Sequence, residues 1–423
     1  MFKFLLKGVF RDRHRWLFPV MIVMFAVTIL VFGFSFLEGF RLSYIRQSSR
    51  FMSGHLKVVS RAYAQMQDVK PYDLALLDIS EDLEEWKEQY PTLSWVERIN
   101  FGALLDVPDE AGETRVQAEV AGFAIDLFGS DDEIRRMKLD SSLRSGKLPG
   151  RSGEILLSHI AAQKLELKPG DTITLMGATV FGAMTMRNFR LSGTVDFGMQ
   201  SLDRGAVVAD LADIREMLDM QGAAGEILCY FKDGKYELSK ATAIADDFNR
   251  KYSKEEDEFS PQMLRLHDQG NLGAILKMFD YSTLWMSVGF VLVLGIVLWN
   301  AGLLNSIRRY GEFGLRLALG ESKRRVYISL LVEALIVGVV GGLLGLLLGS
   351  SISLYFNRAG MDMSIYNRSS TIMSEDVLYT VLNVQSLLVS FIPGLLSTLL
   401  GAALAGIAIF NRDTSQLFKE LET

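Results

Sequence analysis

Four long apolar runs constrain this chain more than any other feature. Leu17 to Leu37, Leu284 to Leu304, Val326 to Tyr355 and Leu387 to Phe410 each reach the roughly 20 residues a helix needs to cross hydrocarbon. The first and last carry no charge, the second holds Asn300 as its one strongly polar side chain, and the third has one ionisable carboxylate, Glu333. The first run is too long for a signal-peptide core and no small-residue cleavage site follows it, so it reads as an anchor.

Charge orients the runs. Residues 1–16 hold five Lys or Arg against one Asp, the 305–325 segment holds six against two, and the 356–386 segment holds two against three. Basic loops stay cytoplasmic, so both chain termini and the 305–325 loop are expected inside. The expected order is a cytoplasmic amphipathic helix at 1–16, spans at 17–40, 283–305, 326–355 and 387–410, an inner loop at 306–325, a short outer loop at 356–386 and a cytoplasmic tail at 411–423. In the first sixteen residues, Lys3, Lys7, Arg11 and Arg15 recur at helical spacing opposite Phe2, Leu5, Leu6, Val9 and Trp16, which suits an interfacial helix or a plain topology signal.

The 41–282 insert lies outside on this reading. Residues 41–280 carry 29 basic and 39 acidic side chains, and the insert is long enough for a core of its own. "DISEDLEEWKEQY" predicts a helix with Ile79, Leu83, Trp86 and Tyr90 on one face and Asp78 with Glu81 as a cap-like pair. "WVERINFGALL" and "RVQAEVAGF" predict strands around "PDEAGE". "GEILLSHIAAQKLELKPGDTITL" reads as strand, short helix, turn and strand. "FRLSGTV", "GAVVA" and Ile227 to Phe231 add strands, Asp210 caps a helix through Leu218, and Leu238, Ala241, Ala245 and Phe248 mark another. "SKEEDEFSPQ" reads as a solvated acidic connector. The expected class is a four-span helical membrane protein with a large α+β domain inserted between the first two spans.

Enzymatic chemistry is poorly supplied. There is no G-x-x-x-x-G-K-[ST] phosphate loop and no G-x-S-x-G elbow. His14, His55, His159 and His267 lack metal-type i,i+4 partners, and the single cysteine, Cys229, rules out an internal disulfide or a Cys-rich metal site. The chain is therefore read as non-catalytic, with no metal; any ATP it uses must be hydrolysed by another chain.

Two patterns ask for partners. In "RRYGEFGLRLALGESKRR", Arg309, Glu312 and Arg316 share a helical stripe, with Glu312 four residues before Arg316 in the favourable order. Gly311, Gly314 and Ala318 form a small-residue stripe opposite. Each glycine costs a helix about 1 kcal/mol against alanine, so either a partner surface approaches the backbone closely, with the ionic stripe and Phe313 adding specificity, or the basic loop only sets orientation. In the third run, Gly338, Gly342, Gly345 and Gly349, with Gly341 beside them, repeat at the interval that lets membrane helices pack closely, within the chain or across a dimer. Glu333 lies about two turns into that run, roughly 10 Å at 1.5 Å per residue, and either snorkels toward Arg324 and Arg325 or pairs with a coupling element.

The stretch "RRYGEFGLRLALGESKRRVYISLLVEALIVGVVGGLLG" resembles the signature of FtsX-like permeases in the MacB-type ABC superfamily (type VII). Glu312, Phe313, Gly314, Ala318 and Gly320 match its coupling-helix pattern E-[IF]-G-x-x-x-A-x-G, and Glu333, Ala334 and Leu335 match the span that follows. The "GEILLSHIAAQKLELKPGDTITL" stretch is similar to a recurrent superfamily segment, with Ser158 near a position where glycine is common. "LMGATVFGAMTMRNFRLSGTVDFG" is similar to the corresponding part of the lipoprotein-releasing permeases LolC and LolE. The resemblance implies a coupling helix (Arg309, Glu312, Phe313, Gly314, Arg316, Ala318, Gly320) seated on a cytoplasmic ABC ATPase dimer that binds ATP and Mg. It also implies a second permease chain, like or unlike, and a bacterial inner-membrane location. Lipoprotein release to a periplasmic carrier is the leading task, with MacB-type efflux or peptide export and FtsX-like hydrolase regulation as rivals. By position, a carrier-binding hook would span Gly177 to Met186 with Val180, Phe181 and Met184 exposed. Phe40, Phe51, Met52, Met278 and Phe279 would shelter acyl chains or anchor the spans. Membrane lipids, and no nucleic acid, complete the expected surroundings.

Overall fold

A computed structural model describes residues 13–67, 69–109, 112–129, 131–198, 200–270, 272–308, 310–363 and 377–410. Along the chain, α1 (Arg13–Ser48) leads through a π-helical turn (Ser49–Ser53) to β1 (Leu56–Ser60), α2 (Arg61–Gln65) and α3 (Ser80–Gln89). The hairpin β2 (Leu93–Pro108) and β3 (Thr114–Ile125) is followed by α4 (Asp131–Met137), β4 (Leu143–Gly146), β5 (Glu154–Ser158) and α5 (His159–Lys164). Next come β6 (Thr172–Ala178), β7 (Met184–Val195), α6 (Gln200–Asp203), β8 (Ala206–Asp210), α7 (Leu211–Leu218), β9 (Glu226–Phe231), α8 (Leu238–Tyr252) and β10 (Pro261–Arg265). The remainder is helical, with α9 (Leu272–Arg308), α10 (Tyr310–Ala318), α11 (Lys323–Ala359) and α12 (Val384–Phe410), plus a two-stranded ribbon of β11 (Met361–Asp362) and β12 (Val377–Leu378). The chain divides into two compact units, Met1–Leu42 with Lys277–Met361 and Val377–Thr423, and Ser43–Leu276 with Asp362–Asp376.

The second unit is built on one long strand whose two halves have different partners. The first half of β2 pairs with β9 over Leu93 to Arg98, and its second half pairs with β3 over Ile99 to Pro108. The pairings β2–β3, β3–β8, β8–β5, β5–β7, β7–β6 and β6–β2 then close on themselves, so these strands form a barrel. Closure removes edges that would otherwise present unpaired backbone groups. Its interior holds Ile99, Leu105, Ile155, Leu157, Ile173, Phe189, Leu191 and Val207. The alternate side chains Leu156 and Val208 point to a second apolar cluster with Phe51, Met137, Leu139, Val195 and Phe197. β5 and β8 therefore read as unbroken hydrophobic runs, because both faces are covered.

The first half of β2 extends into the order β10–β1–β9–β2. α3 and α8 cover this part, burying Leu83, Trp86, Ala241, Ala245 and Phe248 against Leu56, Val58, Ile227 and Cys229. Sequence patterning locates β2, β3, β5 to β9 and helices α3, α5, α7 and α8. It misses β1, β4, β10 and α4, and the acidic connector runs directly into β10, which completes the sheet edge. The Asp78–Glu81 cap also fails. Asp78 has φ +47°, and the residue before α3 is Ile79, with no side-chain cap bond. Ser158 instead caps α5, accepting from Ala161 N at 3.2 Å and donating to Asp203 O at 2.9 Å.

In the first unit, α1, α9, α11 and α12 are long and apolar enough to cross a membrane. Small residues on α11 set their packing. A Cβ on Gly341 would lie 2.9 Å from Val20 O, on Gly345 2.7 Å from Met24 O, and on Gly349 2.7 Å from Val31 Cβ. On the adjacent stripe, Gly338 and Gly342 would meet Thr398 Oγ1 at 2.5 Å and Phe391 Cε2 at 2.6 Å. The stripe thus serves α1 on one side and α12 on the other, within the chain. The 379–381 segment is pinned nearby: Val381 N donates to Ser35 O at 2.9 Å, Asn357 Nδ2 to Thr380 O at 2.6 Å and Thr380 Oγ1 to Ser353 O at 2.6 Å. The amphipathic segment 1–12 and the tail 411–423 lie outside the described residues.

Candidate functional site

Two places in the fold carry the residues singled out from the sequence. The first is α10 and its exit. Arg316 Nη2 donates to Glu312 Oε1 at 2.8 Å, so the expected i,i+4 pair forms. The helix ends in a Schellman turn: Glu321 N bonds to Arg316 O at 3.0 Å and Gly320 N to Leu317 O at 3.0 Å. Gly320 has φ +89°, a region that strains any residue with a Cβ, which explains the glycine without reference to a partner. Ser322 then starts α11.

α10 has an inner and an outer side. Phe313 is fully buried and Gly314 is buried, whereas Leu315 and Leu319 are 62% and 78% exposed and Ala318 is exposed. Phe313 therefore anchors α10 and does not present a face to a partner, contrary to the expectation from the sequence. Among the described residues, a Cβ on Gly314 would meet no atom within 4 Å, unlike those on the α11 glycines, so packing against them does not demand its small size. Arg309 lies outside the described residues, and Glu333 sits half-buried on α11.

The second place is the β6–β7 hairpin. Thr179 N bonds to Ala183 O at 2.8 Å and Gly182 N to Thr179 O at 2.9 Å, with Gly182 at φ +79°, so the tip is an ordered turn. Phe181, Met184 and Met186 are 81%, 83% and 64% exposed. Val180 turns the other way: its N–H donates to Leu218 O at 2.9 Å and its side chain packs on the barrel core. The expected exposure of Val180 is thus corrected, and Met186 joins the apolar tip. Period-2 alternation along β7 would have found it, since Met184 and Met186 share a face.

The residues expected near acyl chains separate. The rings of Phe40 and Phe279 meet at a tilt with centroids 5.7 Å apart, and Met278 is exposed on α9. Met52 is partly exposed in the π-turn, but Phe51 is buried against Phe197 in the second unit's core and shelters no lipid. His55, His159 and His267 are engaged structurally. His55 Nδ1 accepts from Phe231 N at 3.0 Å, and burial, followed by the Arg136 charge, pushes its imidazole down to about 4. Thr194 Oγ1 lies 3.1 Å from His159 Nδ1, and Tyr236 OH lies 2.8 Å from His267 Nδ1.

Sequence reasoning missed a buried ionic centre. Arg98, fully buried, donates Nη2 to Glu133 Oε2 at 2.6 Å and Nη1 to Phe51 O at 2.9 Å. Arg136 donates to Glu133 Oε1 at 2.6 Å and lies 4.0 Å over the Tyr230 ring. Tyr230 OH bonds to Ser49 O at 3.0 Å and Gln269 Nε2 to Ser53 O at 3.1 Å, so carbonyls 49, 51 and 53 of the π-turn are each held by a buried side chain. Polar groups spread over β2, α4 and β9 leave no local motif.

This architecture, four spans with a mixed barrel domain after the first, defines a membrane subunit. The profile for the MacB-like periplasmic core domain matches residues 20–236, and that for the FtsX-like permease C-terminal segment matches 284–414. The chain belongs to the MacB/FtsX-like family of type VII ABC permeases. Members of this family are permease components of ABC systems. The chain is 22% identical to the lipoprotein-releasing system transmembrane protein LolC of Xylella fastidiosa over 84% of its own length and 81% of that protein's. It is 35% identical to the macrolide export ATP-binding/permease protein MacB of Bdellovibrio bacteriovorus over 80 residues, and spans 12% of that relative's length. The crystal structure of the periplasmic region of MacB from Actinobacillus actinomycetemcomitans aligns with a TM-score of 0.34 at 12% identity, covering 53% of this chain and 92% of that one.

Proposed function

We propose that this chain is a permease subunit that uses ATP hydrolysis by a partner to release lipoproteins from a bacterial inner membrane to a periplasmic carrier. The observation that carries the reading is the ordered β6–β7 tip, with Phe181, Met184 and Met186 largely in solvent. Exposed apolar side chains on a rigid turn suit a protein partner. The similarity to LolC along most of both chains supports this reading, and MacB relatives match shorter stretches at higher identity.

In this reading both termini are cytoplasmic, and the outer side of α10, with Glu312, Arg316, Leu315, Ala318 and Leu319, seats on the ATPase. ATP and Mg are held by that partner. Two permease chains, identical or sister subunits, pair with two ATPase chains. Energy coupling is physically required, because each CH₂ of an acyl chain costs about 0.8 kcal/mol to lift from the bilayer, and a dozen cost roughly 10 kcal/mol. The test is a spheroplast release assay with crosslinkers at Phe181 and Met184. ATP-dependent release and capture of a soluble periplasmic protein are expected. Capture of only a sister permease, or release unaffected by Phe181→Asp, overturns the carrier role. Drug resistance without lipoprotein release would establish efflux instead.

A further inference from the structure

A cavity of about 420 Å³ opens in the helical unit, lined by Phe34, Leu37, Glu38 and Arg41 of α1, Phe279, Asp280 and Thr283 of α9, and Asn383, Gln385, Ser386 and Val389 at the start of α12. Its volume falls within the range of small-molecule sites. Three apolar runs end here, at Leu37, Leu284 and Leu387. The cavity therefore sits where hydrocarbon gives way to headgroups, with an apolar part (Phe34, Leu37, Phe279, Val389) and a charged part.

The charged part has two poles. Arg41 Nη1 reaches Glu38 Oε1 at 3.3 Å, a long contact, and Arg41 Nε, shielded from water, has no hydrogen-bond partner among the described residues. The N-terminus of α12, where Ser386 N donates to Asn383 Oδ1 at 2.6 Å, adds positive helix potential on the same wall. Glu38 and Asp280 supply two carboxylates. We propose that this cavity binds the headgroup of an ethanolamine phospholipid, its phosphate against Arg41 and the α12 N-terminus and its primary ammonium against Glu38 and Asp280, with the acyl chains remaining in the bilayer.

Chemistry discriminates among lipids. An anionic glycerol headgroup meets two carboxylates against one guanidinium and has no cation to offer them. A choline headgroup carries charge but no N–H donor, so it forgoes the charge-assisted hydrogen bonds that make an ammonium–carboxylate pair strong. The inference needs only that the four helices lie in a membrane, and it stands or falls separately from lipoprotein release.

The experiment places the purified full-length chain in nanodiscs of phosphatidylcholine containing equal small fractions of phosphatidylethanolamine and phosphatidylglycerol. Lipids retained through mild detergent extraction are then counted by native mass spectrometry. Ethanolamine lipid should be enriched about tenfold over choline lipid, the equivalent of 1.4 kcal/mol. Asp280→Asn, at an exposed position, should collapse that enrichment, and Arg41→Gln should lower it as well. Enrichment of phosphatidylglycerol, no selectivity, or selectivity unchanged in Asp280→Asn overturns the assignment.

Discussion

Replacing Glu133 with leucine tests whether the ionic centre holds the turn that leaves α1. Arg98 is fully buried, and its Nη2 bond to Glu133 is 2.6 Å long. Without the carboxylate, the guanidinium keeps Phe51 O at 2.9 Å but loses its counter-charge, and arginine cannot neutralise itself by losing a proton. Arg136, with its side chain 21% exposed, can turn to water, so the penalty falls on Arg98. One-sided removal from a buried pair costs about 3–5 kcal/mol. At about 2–4 °C per kcal/mol for a domain of this size, Tm should fall by roughly 6–20 °C. Tryptophan fluorescence of the full-length chain in mild detergent reports the transition, since Trp86 and Trp95 lie with ring centroids 6.0 Å apart in that unit. Arg98→Met combined with Glu133→Leu removes the orphaned charge and should recover most of the loss. Hydrogen exchange should rise more at residues 49–54 than in the barrel strands of the single variant. A shift under about 2 °C for Glu133→Leu, or a double variant as unstable as the sum of its parts, would refute the reasoning.

Other expectations concern packing, pH and coupling. Gly345→Val should destabilise the span bundle by about 1–3 kcal/mol, because its Cβ would sit 2.7 Å from Met24 O, whereas Gly289→Val, with nothing within 4 Å among the described residues, should leave the heat-induced aggregation temperature unchanged. The His55 imidazole is depressed from 6.5 to about 4 by burial and then by Arg136. The unfolded chain therefore binds the proton first, and stability present above pH 6.5 is lost as pH falls toward 4, by of order 3 kcal/mol. A His55→Gln chain should show a smaller Tm decline across that window than the unsubstituted chain. Leu319→Asp, 78% exposed on the outer side of α10, should abolish copurification of an ATPase while the chain's own Tm stays within about 2 °C; retained copurification would count against that seat.

Hydropathy and short-range periodicity are properties of neighbouring residues, so the features that depend on them were legible from the residues alone. The four spans, the domain inserted after the first, the β2–β3 hairpin, the Asp210 cap of α7 and the Glu312–Arg316 pair all belong to this class. The capping bond of Asp210 comes from Ala212 N at 3.0 Å, two residues away, and is local; its other oxygen accepts from the distant Leu127 N at 3.1 Å. Glycine spacing on α11 announced close packing, but spacing cannot name the partner. Only the fold assigned Gly341, Gly345 and Gly349 to α1 and Gly338 and Gly342 to α12.

What tertiary structure decided is the set of contacts between segments far apart in sequence. β1 and β10 acquire strand geometry by pairing Val58 with Met263 across about two hundred residues, a gain no local window can register. Barrel closure through β6 turned Val180 inward and left Phe181, Met184 and Met186 outside. Arg98, Glu133, Tyr230 and Gln269, each unremarkable in its own stretch, converge on one turn because desolvated charges and carbonyls must find partners wherever the chain can supply them.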